Sequence, residues 1–177
     1  RRNIQKISTL LKGNTEMMAV VKANAYGHDD LTMASFFESV GIKYFAVSNI
    51  HEAERLRKFG IKGEILILGY TSPEYVEVLA DYNIINTAVS LEHAKNLSDH
   101  TTKPIRCHVS IDTGMGRIGL REVSPKACAD EVMKIMSLPN LTVEGIFTHL
   151  AVADSEDGSD VEYTKKQRDF IIAVYDS

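Results

Sequence analysis

Three stretches of the sequence place reactive side chains where strands are expected to end. The first is Ala19-Val-Val-Lys-Ala-Asn-Ala-Tyr-Gly-His28. An apolar strand predicted over Met18–Lys22 puts Val20, Lys22 and Asn24 on one face, because side chains alternate along a strand. Parallel sheets are covered on both faces, so Lys22 is expected to be partly buried. It also stands at the carboxyl end of its strand, where α/β folds build their sites. Desolvation lowers a lysine's pKa, and the neutral amine forms a Schiff base or accepts a proton. Snorkelling out of the strand end is the other use of such a lysine, and pattern leaves both open.

The second stretch, Asp112-Thr-Gly-Met-Gly-Arg-Ile-Gly119, follows the predicted fifth strand. Its glycines permit tight turns and close approach to a ligand, but the spacing of a phosphate-binding P-loop is absent. Arg117 is suited to a carboxylate or a cofactor oxygen, or simply to solvent. The third stretch brings His149 to the end of the sixth strand. His108, Ser110 and Asp112 share a predicted strand face, but two ligand-type side chains make a poor metal site, and none is assigned. His28 reads as a loop-shaping residue. Tyr163, among Glu162, Lys165, Lys166, Arg168 and Asp169, reads as part of a solvated helix face.

The elements that must hold these residues follow one repeating beat of apolar strand, loop, amphipathic helix and turn. Ile4, Ile7, Leu10 and Leu11 predict an opening amphipathic helix. Strands are predicted at 18–22, 44–48, 64–68, 84–89, 105–112 and 142–149. Helices are expected at 31–40, closed by Gly41, and at 51–59, stopped by Gly60. Ser72-Pro73, Ser90 and Ser124-Pro125 read as helix starts. Six strand–helix units indicate a parallel sheet, either barrel or open.

Composition narrows the class. The chain has 177 residues, 44% of them hydrophobic and 25% charged, as in an ordinary globular protein. A net charge of −4 argues against a nucleic-acid surface. Two cysteines, Cys107 and Cys128, make no disulfide framework and fit a reducing, cytoplasmic setting. No apolar run reaches the length of a membrane span. A complete eight-unit β/α barrel usually needs about 250 residues and seldom fewer than about 200. The chain opens on Arg1-Arg2 and closes just after the apolar run Phe170–Val174, so both ends read as cut.

Together the three stretches, completed by Ile111 and by Gly145-Ile-Phe-Thr-His-Leu-Ala-Val-Ala-Asp154, resemble the barrel domain of the alanine racemase family. Softer agreement runs through 47–54 and 65–74, so the likeness covers nearly the whole chain. It implies an incomplete (β/α)8 barrel of TIM type, with about six units over residues 1–177 and no C-terminal β domain. It also implies pyridoxal 5'-phosphate (PLP) as cofactor, held by Lys22 as a Schiff base. Tyr26 would bond its phosphate and His149 would lie against its ring. Val20 and Leu68 would line the pocket, and Arg117 would contact the phenolic oxygen and the substrate carboxylate. Lys22 would then be the base on one face of the substrate carbon, converting L-alanine to D-alanine for cell-wall precursors. The opposite base would be a tyrosine from the partner subunit of a homodimer.

Two departures from the family pattern stand out. Ser110 takes a position where many members carry a lysine, often carbamylated, that orients the arginine. Asp29 replaces a common glycine. The first departure leaves Arg117 without a built-in counter-charge, and an altered preference, toward serine, is expected from it. Alternatives are a serine racemase of the membrane-anchored glycopeptide-resistance type, a non-catalytic PLP carrier, and an open-sheet binding domain without PLP. The Asp112–Gly119 motif favours the racemase over the carriers, which lack it. An unpaired sixth strand predicts poor folding or self-association of the piece alone.

Overall fold

Six strands alternate with helices in the predicted order and form two three-stranded parallel sheets, β1-β2-β3 and β4-β5-β6. The computed structural model describes residues 1–177, which divide into the units Arg1–Gly69 and Tyr70–Ser177.

In the first unit, α1 (Arg2–Ser8) buries no residue. Strands β1 (Met18–Val20), β2 (Tyr44–Val47) and β3 (Glu64–Ile67) pair in register, Met18 beside Tyr44 and Tyr44 beside Glu64. Phe45, Ala46 and Val47 are buried in succession, as are Ile65, Leu66 and Ile67. Consecutive buried residues point to opposite faces, so both faces are covered, as parallel sheets require. β1 is the exception, with Met18 and Val20 exposed by 36% and 41%. The strand also ends two residues earlier than predicted. Lys22 therefore opens the following turn, α2 (Lys22–Gly27), and does not share a strand face with Val20.

Helix α3 (Asp30–Ser39) begins where Asp29 accepts the Thr32 N–H. Helix α4 (Ile50–Phe59) is capped by Asn49, which accepts the Glu52 N–H at 3.1 Å. Gly60 closes it in the left-handed conformation. Ala53 and Leu56 are its fully buried residues.

The second unit starts with a 3-10 turn at Pro73–Tyr75, and helix α5 (Val76–Asp81) follows. Ser72 precedes Pro73 as predicted but makes no side-chain cap hydrogen bond. Strand β4 (Asn86–Ala88), helix α6 (Leu91–His100), strand β5 (Ile105–Ser110) and helix α7 (Pro125–Met136) come next. Ser90 and Ser124 cap α6 and α7 by accepting the N–H groups of His93 and Ala127. Strand β6 (Leu141–Phe147) pairs with β5, and α8 (Gly158–Tyr175) ends the unit. The core is apolar: Ile105, Cys107 and Val109 of β5 are buried, as are Leu79, Leu97 and Ile135 of the helices. Burial pushes the Cys107 and Cys128 thiols up to about 12 and about 11, so both stay protonated. No helix is long and apolar enough to cross a membrane.

Candidate functional site

The chain leaves β1 through a conformation that L-residues avoid. Ala23, Asn24, Ala25 and Tyr26 all have φ between 51° and 55°, forming one left-handed turn immediately after Lys22. Each such residue costs roughly 1–2 kcal/mol, less for Asn. The turn therefore has to be held by its surroundings. Ala25 is buried and its N–H reaches the Val21 carbonyl at 2.9 Å. Asn24 Oδ1 accepts the Asp30 N–H at 3.1 Å. Glu52 Oε1 accepts the Ala23 N–H at 2.8 Å, while Oε2 accepts the Ser48 N–H and hydroxyl, both at 2.7 Å.

The electrostatics agree with an ionised Glu52. Burial acts to raise its carboxyl, but the donors of Ser48 and Ala23 and the nearby Arg55 outweigh it and hold it below the ordinary glutamate value. Asp30, almost wholly buried, pairs with Arg55 of α4. Lys22 itself is half-buried and makes no ion pair, and Tyr26 is 63% exposed. Val20 and Leu68 stand at the carboxyl ends of β1 and β3, both partly accessible.

In the second unit the motif 112–119 forms a closed loop after β5. Ile111 bridges to Leu120, the Leu120 N–H reaches the Ser110 carbonyl, and the Asp112 N–H reaches the Leu120 carbonyl, both at 2.8 Å. Inside the loop, Asp112 Oδ1 accepts the N–H groups of Gly114 and Gly116 at 3.0 and 2.9 Å. Burial acts to raise this carboxyl, but the backbone donors and Arg121 bring it below the ordinary aspartate value. Arg117 sits near the tip, exposed and without an ion pair. Ser110 is buried with its hydroxyl toward the Ile118 carbonyl, 3.3 Å away. A side chain at Gly119 would come within 2.8 Å of that hydroxyl, so the glycine allows the loop to close on β5.

His149 lies two residues beyond β6, not at its end, and is exposed. Its loop is tied to the Arg117 loop by one buried amide, Gln167 of α8. Gln167 Oε1 accepts the Ala151 N–H at 2.9 Å, and Nε2 donates to Thr113 Oγ1 at 3.1 Å and to the His149 carbonyl at 3.4 Å. The Thr113 hydroxyl also meets that of Thr148 at 2.8 Å. One helical turn before Gln167, the Tyr163 hydroxyl donates to the Gly114 carbonyl at 2.7 Å. Tyr163 is thus part of the loop's support and not merely one of a solvated row. A Cβ on Gly114 would lie 2.4 Å from its hydroxyl, and the glycine's φ of 137° excludes other residues besides.

The sequence-predicted residues therefore form two sets, Val20, Lys22, Tyr26 and Leu68 in the first unit and Arg117 and His149 in the second. Sequence reasoning missed Glu52 and Gln167. For Glu52 a signal existed, since Asn49-x-x-Glu52 is a capping-box pattern. For Gln167 there was none, a polar residue in a charged helix being unremarkable.

Residues 1–177 match the family described as alanine racemase, N-terminal domain. The chain belongs to that family. Among curated relatives, it is 43% identical over 165 residues to an amino-acid racemase of Enterococcus faecalis, covering 93% of this chain and 23% of that protein. A serine/alanine racemase of Enterococcus gallinarum is 41% identical over 174 residues, 98% of this chain and 24% of the relative. An alanine racemase of Clostridium tetani is 42% identical over 168 residues, 93% and 42% of the two chains. The chain thus spans less than half the length of these relatives. Among solved structures, alanine racemase of Clostridium difficile 630 superposes with a TM-score of 0.90 at 34% identity, covering 99% of this chain and 48% of that one. That likeness bears out the expected α/β barrel-type fold of six strand–helix units.

Proposed function

We propose that the protein is a PLP-dependent amino-acid racemase that interconverts L- and D-alanine, with serine as the alternative substrate. The observation that supports this most is Lys22, an amine free of ion pairs that leads into the left-handed turn after β1. The residues suit such a cofactor. Lys22 offers an amine, the exposed Tyr26 offers a hydroxyl to a phosphate, and the partly open Val20 and Leu68 offer apolar surface. Arg117 is free to meet an anionic oxygen, and His149 would lie against the cofactor ring. The bound cofactor supplies an electron sink for the carbanion left when the α-proton departs. Lys22 takes or returns that proton on one face. Arg117 holds the substrate carboxylate by charge-assisted hydrogen bonds. The opposite face needs a second base, which we assign to a tyrosine of the partner subunit in a homodimer. The D-alanine formed would serve cell-wall precursors, and the setting would be cytoplasmic, in a soluble protein or the cytoplasmic domain of an anchored one.

The test is reduction of the whole protein with borohydride in the presence of PLP, mass spectrometry of the Lys22 peptide, and an assay of D-alanine and D-serine. A pyridoxyl adduct on Lys22 with racemisation, both lost in Lys22→Ala, is expected. An adduct without racemisation would favour a carrier, and no adduct would remove both readings. Ser110→Lys sharpens the substrate question. Because Ser110 is a buried neutral hydroxyl beneath the Arg117 loop, the variant is expected to shift the alanine/serine ratio of kcat/KM. An unchanged ratio would separate Ser110 from substrate preference.

A further inference from the structure

Glu52 is the acid at the third position of α4, and in a capping box that side chain returns to the N–H of the capping residue. Here the capping residue is Asn49, yet the carboxylate goes elsewhere, to Ser48 at the end of β2 and to Ala23 after β1. Ala23 is 29 residues away in sequence and is the first of the four left-handed residues. Its N–H belongs to the peptide joining Lys22 to Ala23, so pinning that N–H fixes the plane from which the Lys22 side chain departs. The same helix serves the far end of the turn. Arg55 pairs with Asp30, whose N–H is bound by Asn24.

We infer that Glu52 is a positioning residue for Lys22, holding a turn that its own residues would not adopt so that the amine is presented in one direction. The inference rests on the role proposed for Lys22. A mere helix cap would need no bond to Ala23, whereas a latch on a strained turn does.

Glu52→Gln keeps the size of the side chain but sets an NH2 group against N–H donors. In the whole protein, the rate of borohydride-trapped PLP addition at Lys22 is expected to fall about tenfold or more, the worth of a charge-assisted hydrogen bond. Hydrogen exchange at the Ala23 amide, measured without cofactor, should speed up by a similar factor. Adding Ala23→Gly should recover much of the trapping rate, because glycine takes a positive φ without a Cβ penalty. Glu54→Gln, which removes only the surface pair to Lys58, should leave both readouts at wild-type values. A wild-type trapping rate in Glu52→Gln, or no recovery on adding Ala23→Gly, overturns the inference. If Glu52→Gln does not fold, Ser48→Ala removes one of the three donors and should slow trapping about threefold; an unchanged rate there overturns it equally. A wild-type protein that gives no adduct defeats the proposed function instead, while Ala23 exchange still decides the latch.

Discussion

After β1 the chain turns through four left-handed residues, none of them glycine; after β5 it turns through a loop with glycines at 114, 116 and 119. The first turn meets its backbone cost with a bond from a distant helix, Glu52 to Ala23. The second avoids much of that cost by composition and is organised from within, by Asp112 on amides two and four residues ahead. Only then is it tied outward, by Gln167 and Tyr163. The difference teaches where precision comes from. A glycine loop can hold itself together locally, whereas the Lys22 turn draws on α4 as well as on its own local bonds.

The largest test of this contrast is Gly114→Ala, which meets both a φ of 137° and the Tyr163 hydroxyl. A loss of about 3 kcal/mol is expected from denaturant unfolding. Adding Tyr163→Phe should return part of it, and no return would mean that backbone geometry alone sets the cost. Gln167→Met should come next, at about 2 kcal/mol, because it leaves the part-buried Ala151 N–H without its acceptor and the Thr113 hydroxyl with one partner fewer. Faster exchange at Ala151 together with a raised KM is expected; a raised KM would be missing if the tie served only α8.

Acid gives the smallest and most selective effect. Glu52 lies below the ordinary 4.5 and Asp112 below 3.8. Each contributes stability that is complete above its unfolded value and is lost as pH falls through its folded value. Gln167 does not titrate. On acidification from pH 6, the Ala23, Gly114 and Gly116 amides, each held by one of these carboxylates, should therefore lose protection while the Ala151 amide held by Gln167 keeps it. Equal loss at Ala151 in pH-dependent hydrogen exchange would show a general loosening and not the release of these two carboxylates.

Much of this organisation was legible in the residues. Ser90, Ser124 and Gly60 marked helix ends because capping is a local interaction, and Lys22, Arg117 and His149 were singled out because they end or follow predicted strands. What was illegible depended on contacts far apart in sequence. The strand pattern carried Lys22 on beyond Val20, since nothing in Lys-Ala-Asn-Ala-Tyr announces a left-handed turn; Glu52 imposes it from another helix. Tyr163 looked solvated because its neighbours are charged, yet its hydroxyl reaches back 49 residues to Gly114. Sequence periodicity reports a helix face, not the loop above it.

The pairing of Ile111 with Leu120 closes the strand beneath the Arg117 loop. The eight residues between them are consequently insulated from the register of β5, like an insert between two clamped ends. Away from Gly114 and Gly119, whose missing side chains let the loop close, changes of identity or length in that insert would be absorbed without shifting Ile105–Ser110, at a closure cost that grows only slowly with length. Recognition at this strand end can thus vary between proteins while the sheet that supports it stays the same.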